Sequence, residues 1–341
     1  MGIRHLNKFL KQNASTAIRT YKLSELSGKK IAVDISIYMY KFAYNNALIE
    51  NVYLMLSLFR SNNIIPVFVF DGKPPNEKKE LLRERNHAKW MAEEQYHKLE
   101  DMLTEKGDTI TAVERKQLMH TMHELKKKSI TLKKSDIDTV KSLIRYYGAT
   151  YYEAPGEADS LCAMLSLENK VWACLSEDMD MFVYGCPRVL RYFHLFEETV
   201  QCYDLQGILS ALGITQKELR QICVLSGTDY DINNATTFQT AISYYKKFYK
   251  WKCKQANAVS NENAALTTNN EDFYEWLRVN HHQVIANYEM LQNIYNMFDV
   301  SSFKEQMKPF QHLQIIDGEI MQKEVQDILQ KDGFIFPHKE I

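Results

Sequence analysis

Short runs rich in Ile, Val, Phe and Ala recur along the chain, separated by longer stretches where apolar residues return every three or four positions. The runs "KKIAVDIS" (29–36), "IIPVFVFDG" (64–72), "ATYYEA" (149–154), "KVWACLS" (170–176), "RVLRYF" (188–193) and "TVQCYD" (199–204) predict six strands. Several are continuous rather than alternating, as in strands covered on both faces. Helical periodicity lies between them, including 37–60, 156–168 and 215–226. This alternation predicts an α/β fold with a mainly parallel central sheet flanked by helices.

Residues 76–147 depart from the alternation. They are rich in Lys, Arg and Glu, with a turn signal at "EKGDTIT" (105–111), and read as long helices. The segment is too long for a simple crossover, so part of it is expected to stand off the sheet. Beyond residue 205 the pattern is mostly helical. "QANAVSNENAALTTNNED" (255–272) has no periodicity and is expected to be a flexible surface loop.

The 341 residues suffice for one large domain or two ordinary ones. With 42 basic against 43 acidic side chains, net charge neither indicates nor excludes a nucleic-acid partner. The six cysteines are widely spaced without a C-x-x-C, which argues against a zinc site or a disulfide framework and for a reducing compartment. No apolar run reaches the ~18 residues of a membrane span. The start "MGIRHLNKFL" has no signal-peptide core and carries Leu6 where N-myristoylation requires Ser or Thr. A soluble, intracellular protein without a membrane partner is expected.

Carboxylates cluster at the ends of the predicted strands. Asp34 ends the first and Asp71 the second, while Glu157 and Asp159 follow the third, after a Pro-Gly turn. Asp178 and Asp180 end the fourth, and Asp229 in "LSGTDYD" closes a helix further along. Parallel strands share one edge at their C-terminal ends, where open α/β folds bind ligands. A single Asp after a strand is most simply a helix cap. Four successive strand ends carrying acids point instead to hard-oxygen ligands for Mg²⁺ or Mn²⁺. So many acids suit two ions about 4 Å apart, an arrangement used for in-line displacement at phosphorus. Glu177 reads as structural, because its side chain points away from those of Asp178 and Asp180 if the strand continues.

The motifs "MGIRHL", "AVDISIYMYKF", "VFVFDGKPP", "EAPGEAD", "SEDMDMFVYG" and "LSGTDY", in that order over residues 1–250, resemble those of the flap endonuclease/XPG-like structure-specific 5′ nucleases, which have a PIN-like 5′ nuclease fold. The resemblance implies that Asp34, Asp71, Glu157 and Asp159 hold a first Mg²⁺, and that Asp178, Asp180 and Asp229 hold a second, with Mn²⁺ able to substitute. It implies that Lys78 and Arg85, two helical turns apart on one face, polarise the scissile phosphate beside the catalytic Asp178. Tyr40 would stack on a base next to the cleaved bond, and Gly2, exposed once Met1 is removed, would lie near the metals. It implies a nuclease core at 1–250, with an N-terminal part (1–105), a helical arch at about 76–134 and an internal part at about 135–250. Residues 251–341 would form a C-terminal helical extension.

Within the arch, Lys126, Lys127, Lys128, Lys133 and Lys134 make a cationic rim able to attract phosphates. "YYKKFYKWKCK" (244–254), with Lys246 and Lys247, is a second basic patch whose aromatics read equally as the buried side of a helix. The implied activity is hydrolysis of DNA phosphodiesters at 5′ flaps, branched or nicked ends, leaving a 5′-phosphate and a 3′-hydroxyl, with 5′–3′ exonuclease activity beside it. The alternatives are an RNA-cleaving endonuclease on the same fold and a non-catalytic nucleic-acid-binding scaffold. A monomer is expected, in the nucleus by resemblance, or in host cytoplasm or a viral factory if the source is viral. No sliding-clamp peptide is evident.

The chain departs from the pattern in four places. Asp159 stands where flap endonucleases carry Glu, and His5 replaces a usual Gly. "YDINNATTFQTAISYY" lacks the Gly-x-Gly hairpin and its following Lys; Thr237 and Gln239 stand near those positions, and Asn233 and Asn234, which tolerate positive φ, are able to supply a left-handed turn. The connection from Asp34 to Asp71 is short for a duplex-splitting wedge.

Overall fold

The computed structural model describes residues 2–106, 110–231, 236–259, 272–303, 305, 308–310 and 312–336. Two compact units emerge, each assembled from separate stretches of chain. The first comprises Met1–Lys22, Asp159–Phe193 and Thr199–Leu313; the second comprises Leu23–Ala158, His194–Glu198 and Gln314–Ile341.

In the second unit, β2 (Lys30–Asp34), β3 (Ile65–Phe70) and β4 (Thr150–Glu153) form a parallel array in the order β2-β3-β4. Asp34 lies opposite Val69, and Phe70 opposite Glu153, so the C-terminal ends of all three strands reach one edge. The apolar side chains of β3 from Pro66 to Phe70 are buried throughout, as continuous runs require. Helices α2 (Ile35–Tyr44), α3 (Leu48–Ser61) and α6 (Lys134–Tyr146) pack around these strands. The helical stretch expected at 37–60 is therefore two helices. Asn46 in the left-handed region (φ 52°) breaks it, a conformation that Asn tolerates better than other side chains.

The segment expected to form the arch consists of two helices, α4 (Lys79–Lys106) and α5 (Ala112–Ser129), which pack against each other. A capping box opens α5: Thr111 accepts from the Glu114 amide, and Glu114 accepts in return from the Thr111 amide. This satisfies donors that the first helical turn leaves open. The last turn of α5 carries Lys126, Lys127 and Lys128, where cations meet the negative end of the helix dipole.

In the first unit, α1 (Leu6–Asn13) precedes β1 (Ile18–Lys22), and the strand order is β1-β7-β6-β5. Here β5 is Ala173–Leu175, β6 Arg188–His194 and β7 Thr199–Asp204. β5 and β6 run parallel, while β1 runs antiparallel to β7. The sequence reading missed β1, whose "IRTYK" has no buried residue and no apolar alternation. It also overextended β5, predicted at 170–176 but confined to three residues. Helices α7 (Ala158–Leu167), α8 (Asp180–Tyr184), α9 (Leu205–Leu212), α10 (Gln216–Leu225), α11 (Phe238–Val259), α12 (Phe273–Asn280) and α13 (Tyr288–Met297) complete the connections. The periodicity at 156–168 and 215–226 matches α7 and α10.

Residues 255–259, expected in a loop, continue α11, and 260–271 lie outside the described residues. Beyond residue 250 the chain is divided: 251–313 belong to the first unit and 314–341 to the second, where α14 (Gln322–Lys331) packs against α6. The α/β architecture, mainly parallel strands flanked by helices, is as predicted. No helix among the described residues is long and apolar enough to cross a membrane.

Candidate active-site residues

The C-terminal edge of β2-β3-β4 carries three of the predicted acids. Asp34 is the last residue of β2 and is buried. Asp71 directly follows β3, and its Oδ1 accepts from the Ala158 amide at 2.8 Å, at the N-terminus of α7. One oxygen of Asp71 thus performs the capping role that a lone strand-end Asp suggests. Gly72 makes this closure possible. Its amide donates to Gly156 O at 2.7 Å, and a Cβ on Gly72 would stand 1.9 Å from Ala154 O. We expect Gly72→Ala to force these two backbones apart and to destabilise the protein by about 1–3 kcal/mol, read as a lower urea midpoint.

Glu157 is met by a lysine. Lys78, at the end of a 3₁₀ turn before α4, is buried, and its Nζ lies 2.6 Å from Glu157 Oε1. A lysine ammonium is seldom buried without a counter-charge, so this contact fixes the side chain beside a predicted metal ligand. Arg85 lies seven residues further along α4 and is half-buried.

The first unit holds the remaining acids. Asp159 in the first turn of α7 is buried, and its Oδ1 accepts from the Ser160 amide at 2.7 Å. After β5 the chain turns through Ser176, whose Oγ accepts from the Asp178 amide at 3.1 Å. Asp178 Oδ1 then accepts from the Asp180 amide at 3.0 Å, so Asp180 opens α8. Asp180 is only 1% exposed. The backbone of Gly2 is pressed against this pair. A Cβ on Gly2 would sit 2.2 Å from Asp178 Oδ1 and 2.3 Å from Asp180 Oδ1, and φ is +71°, a conformation that glycine alone adopts freely. Two carboxylate oxygens that one atom would touch at once are themselves close neighbours. Asp229 is half-buried, between buried Thr228 and Tyr230 beyond the end of α10.

Glu177 turns out as predicted, a structural residue. Its Oε2 lies 3.6 Å from Arg191 Nη2, its Oε1 accepts from the Tyr192 amide at 2.6 Å, and its carbonyl accepts from Arg191 at 2.9 Å. Sulfur lies close behind the acids but stays protonated. Burial pushes the Cys223 thiol well up, and the charge of Asp180 raises it further. Burial likewise raises Cys186, with smaller contributions from Cys174, Cys162 and Asp159. The acids of this stretch offer carboxylate oxygens, the chemistry that hard divalent ions select. Among the described residues, no three Asp, Glu, His or Cys side chains surround one point closely enough to cage an ion as they stand.

The expected nucleic-acid contacts are distributed as follows. Tyr40 is 42% exposed on α2, which removes its reading as a core residue. Lys126, Lys127 and Lys128 are exposed at the end of α5, and Lys246 and Lys247 on α11. Of the interleaved aromatics, Tyr245 and Phe248 are buried, and Phe248 packs on Trp276 of α12, so they form the inner face of their helix. Thr237 Oγ1 accepts from the Thr240 amide, capping the start of α11. Asn233 and Asn234 lie outside the described residues.

Profiles described as "XPG N-terminal domain" and "XPG I-region" match residues 1–92 and 148–229. Flap endonuclease 1-A of Sorghum bicolor is 32% identical over 251 residues, 67% of this chain and 62% of that protein. The chain belongs to the XPG-like flap endonuclease family. Flap endonuclease 1 of Homo sapiens gives a similar match, 30% identical over 248 residues and again 62% of its length. The chain thus spans just under two thirds of these relatives. All seven acids, together with Lys78 and Arg85, fall inside the two matched XPG stretches, whereas Lys126–Lys128 and Lys246–Lys247 fall outside them. In fold, the chain is similar to the catalytic core of Rad2 in complex with DNA substrate (TM-score 0.62, 21% identity, 97% of this chain and 94% of that one). It is also similar to human GEN1 in complex with Holliday junction DNA (TM-score 0.57, 18% identity, 97% and 73%).

Proposed function

We propose that the chain is a structure-specific 5′ nuclease that hydrolyses DNA phosphodiesters at 5′ flaps and branched ends, with 5′–3′ exonuclease action at free ends. The observation that carries this reading is the fit of Gly2 against Asp178 and Asp180: a residue without a side chain is required where two carboxylates approach one point. Family membership supplies the reaction class, and the DNA in the Rad2 and GEN1 complexes supports DNA as the substrate.

Asp34, Asp71, Glu157 and Asp159 would hold one Mg²⁺, and Asp178, Asp180 and Asp229 a second, with Mn²⁺ able to replace either. When bound, such ions lower the pKa of water and neutralise charge on the phosphodiester. Within the first set, Glu157 and Asp159 stand two residues apart in the sequence. Lys78 keeps Glu157 oriented and offers its ammonium to a phosphate oxygen. Arg85 adds a guanidinium suited to bidentate phosphate contact, and Tyr40 presents a ring on which a base stacks. Lys126, Lys127 and Lys128, with Lys246 and Lys247, attract phosphates by charge. The protein would act as a monomer in the nucleus.

A cleavage panel tests this reading, with 5′-flap, gapped and blunt DNA and single-stranded RNA, each with Mg²⁺ or EDTA. Flap cleavage that requires Mg²⁺ and leaves a 5′-phosphate is expected. Absence of cleavage throughout, or faster cleavage of RNA than of DNA, would overturn it.

A further inference from the structure

Tyr40 and Tyr44 stand on one face of α2, one helical turn and about 6 Å apart along its axis. Each ring receives a cation from a different helix of the arch. Lys89 of α4 places Nζ 4.7 Å from the Tyr40 ring centre, and Lys127 of α5 places Nζ 5.4 Å from that of Tyr44. His123, one turn before Lys127, meets Tyr44 edge-on at 5.3 Å and shares a hydrogen bond between Nε2 and Oη. Tyr44 is half-buried, whereas Lys127 and His123 are exposed.

An ammonium is weakly held over a ring when solvent reaches either partner, as it does at the Tyr40 ring and at Lys127, and a phosphate competes strongly for it through charge-assisted hydrogen bonds. A ring so released offers its face to any base, because every base has a π-face. From this arrangement we infer that Tyr44 is a second base-stacking subsite beside Tyr40, and that Lys89 and Lys127 move from the ring faces to the phosphates of an entering single strand. The occupant is single-stranded nucleic acid, matched by the charge of Lys126, Lys127 and Lys128 at the same end of α5. The inference rests on the nuclease reading and deepens it: Tyr44, Lys89 and Lys127 become positioning residues for the unpaired 5′ arm. The rival role is a strap, in which Tyr44 only ties α5 to α2. A strap needs the hydroxyl for His123, whereas a stacking subsite needs the flat ring.

The test measures binding in EDTA by fluorescence anisotropy, with the full chain and two labelled duplexes, one carrying a 5′ single-stranded arm of several nucleotides and one without it. Tyr44→Ala is expected to weaken binding of the armed duplex about five- to a hundredfold and to leave the armless duplex unchanged. Tyr44→Phe should bind nearly as the parent does, and Lys127→Ala should lower the salt dependence for the armed duplex by about one ion. Tyr44→Leu, which retains apolar bulk without a flat ring, replaces Tyr44→Ala if melting curves show that the latter does not fold. Unchanged binding in the Ala and Leu variants, equal losses on both duplexes, or a Tyr44→Phe loss as large as that of Ala would overturn the subsite. A parent protein that binds the arm but cleaves nothing with Mg²⁺ would overturn the nuclease reading and leave the subsite standing.

Discussion

Asp178→Asn is expected to lower single-turnover cleavage of a 5′-flap substrate at least about a thousandfold while leaving affinity for the substrate in EDTA within about twofold. The substitution is close to isosteric, and the local fold should survive it. Asp178 Oδ1 accepts from the Asp180 amide at 3.0 Å, and the carbonyl oxygen of Asn can accept the same bond. What disappears is one negative charge beside Asp180, a residue that is almost fully buried. Charge stabilisation at a transferring phosphate by metal ions is worth several kcal/mol, and about 4 kcal/mol corresponds to a thousandfold in rate. The structural bond and the ligand charge thus reside on the same side chain but separate under this mutation. Quench-flow cleavage with excess enzyme, alongside anisotropy on the same flap, measures both. Retained cleavage would remove Asp178 from the metal-ligand set, and a matched loss of binding would reduce it to a folding residue.

How much of this was legible in the sequence depended on how local the physics was. β3 could be read directly, because a strand covered on both faces needs an unbroken apolar run, and "IPVFVF" is one. β1 could not: its pairing with β7 joins residues some 180 positions apart and leaves no pattern in "IRTYK". The acids were visible as strand-end residues, but their partners were not. Lys78 finds Glu157 across 79 residues, and Glu177 finds the Tyr192 amide across 15. Neither pairing follows from spacing along the chain. The role of Asp71 was half legible, since any strand-end Asp suggests a cap; that it caps α7 from another segment depends on Gly72 lying against Ala154. Glycines written into "MGIRHL" and "FDGKPP" identified a family before their physical reason was apparent. That reason is the space a Cβ would occupy.

Lys78→Met should slow single-turnover cleavage about a hundred- to a thousandfold and also lower stability, and the second effect allows the first to be interpreted. Lys78 is buried with its ammonium 2.6 Å from Glu157 Oε1. Removing one partner of a buried pair costs about 3–5 kcal/mol because the other charge is left uncompensated. Glu157 retains 21% side-chain exposure, so solvent screening should bring the loss nearer to 1–3 kcal/mol. If neutralising Glu157 were the only work of Lys78, the double variant Lys78→Met/Glu157→Gln would regain stability and lose no more rate than Glu157→Gln alone. If Lys78 also reaches a phosphate, the double variant regains stability but stays slower than Glu157→Gln. Lys78→Arg should rescue little in either assay, because the larger planar guanidinium does not fit where the lysine is buried. Urea midpoints and single-turnover rates for the four proteins of the cycle separate the two roles. The expected result is recovery in urea without recovery in rate, which would make Lys78 at once the counter-charge that orders Glu157 and a group acting on the phosphate.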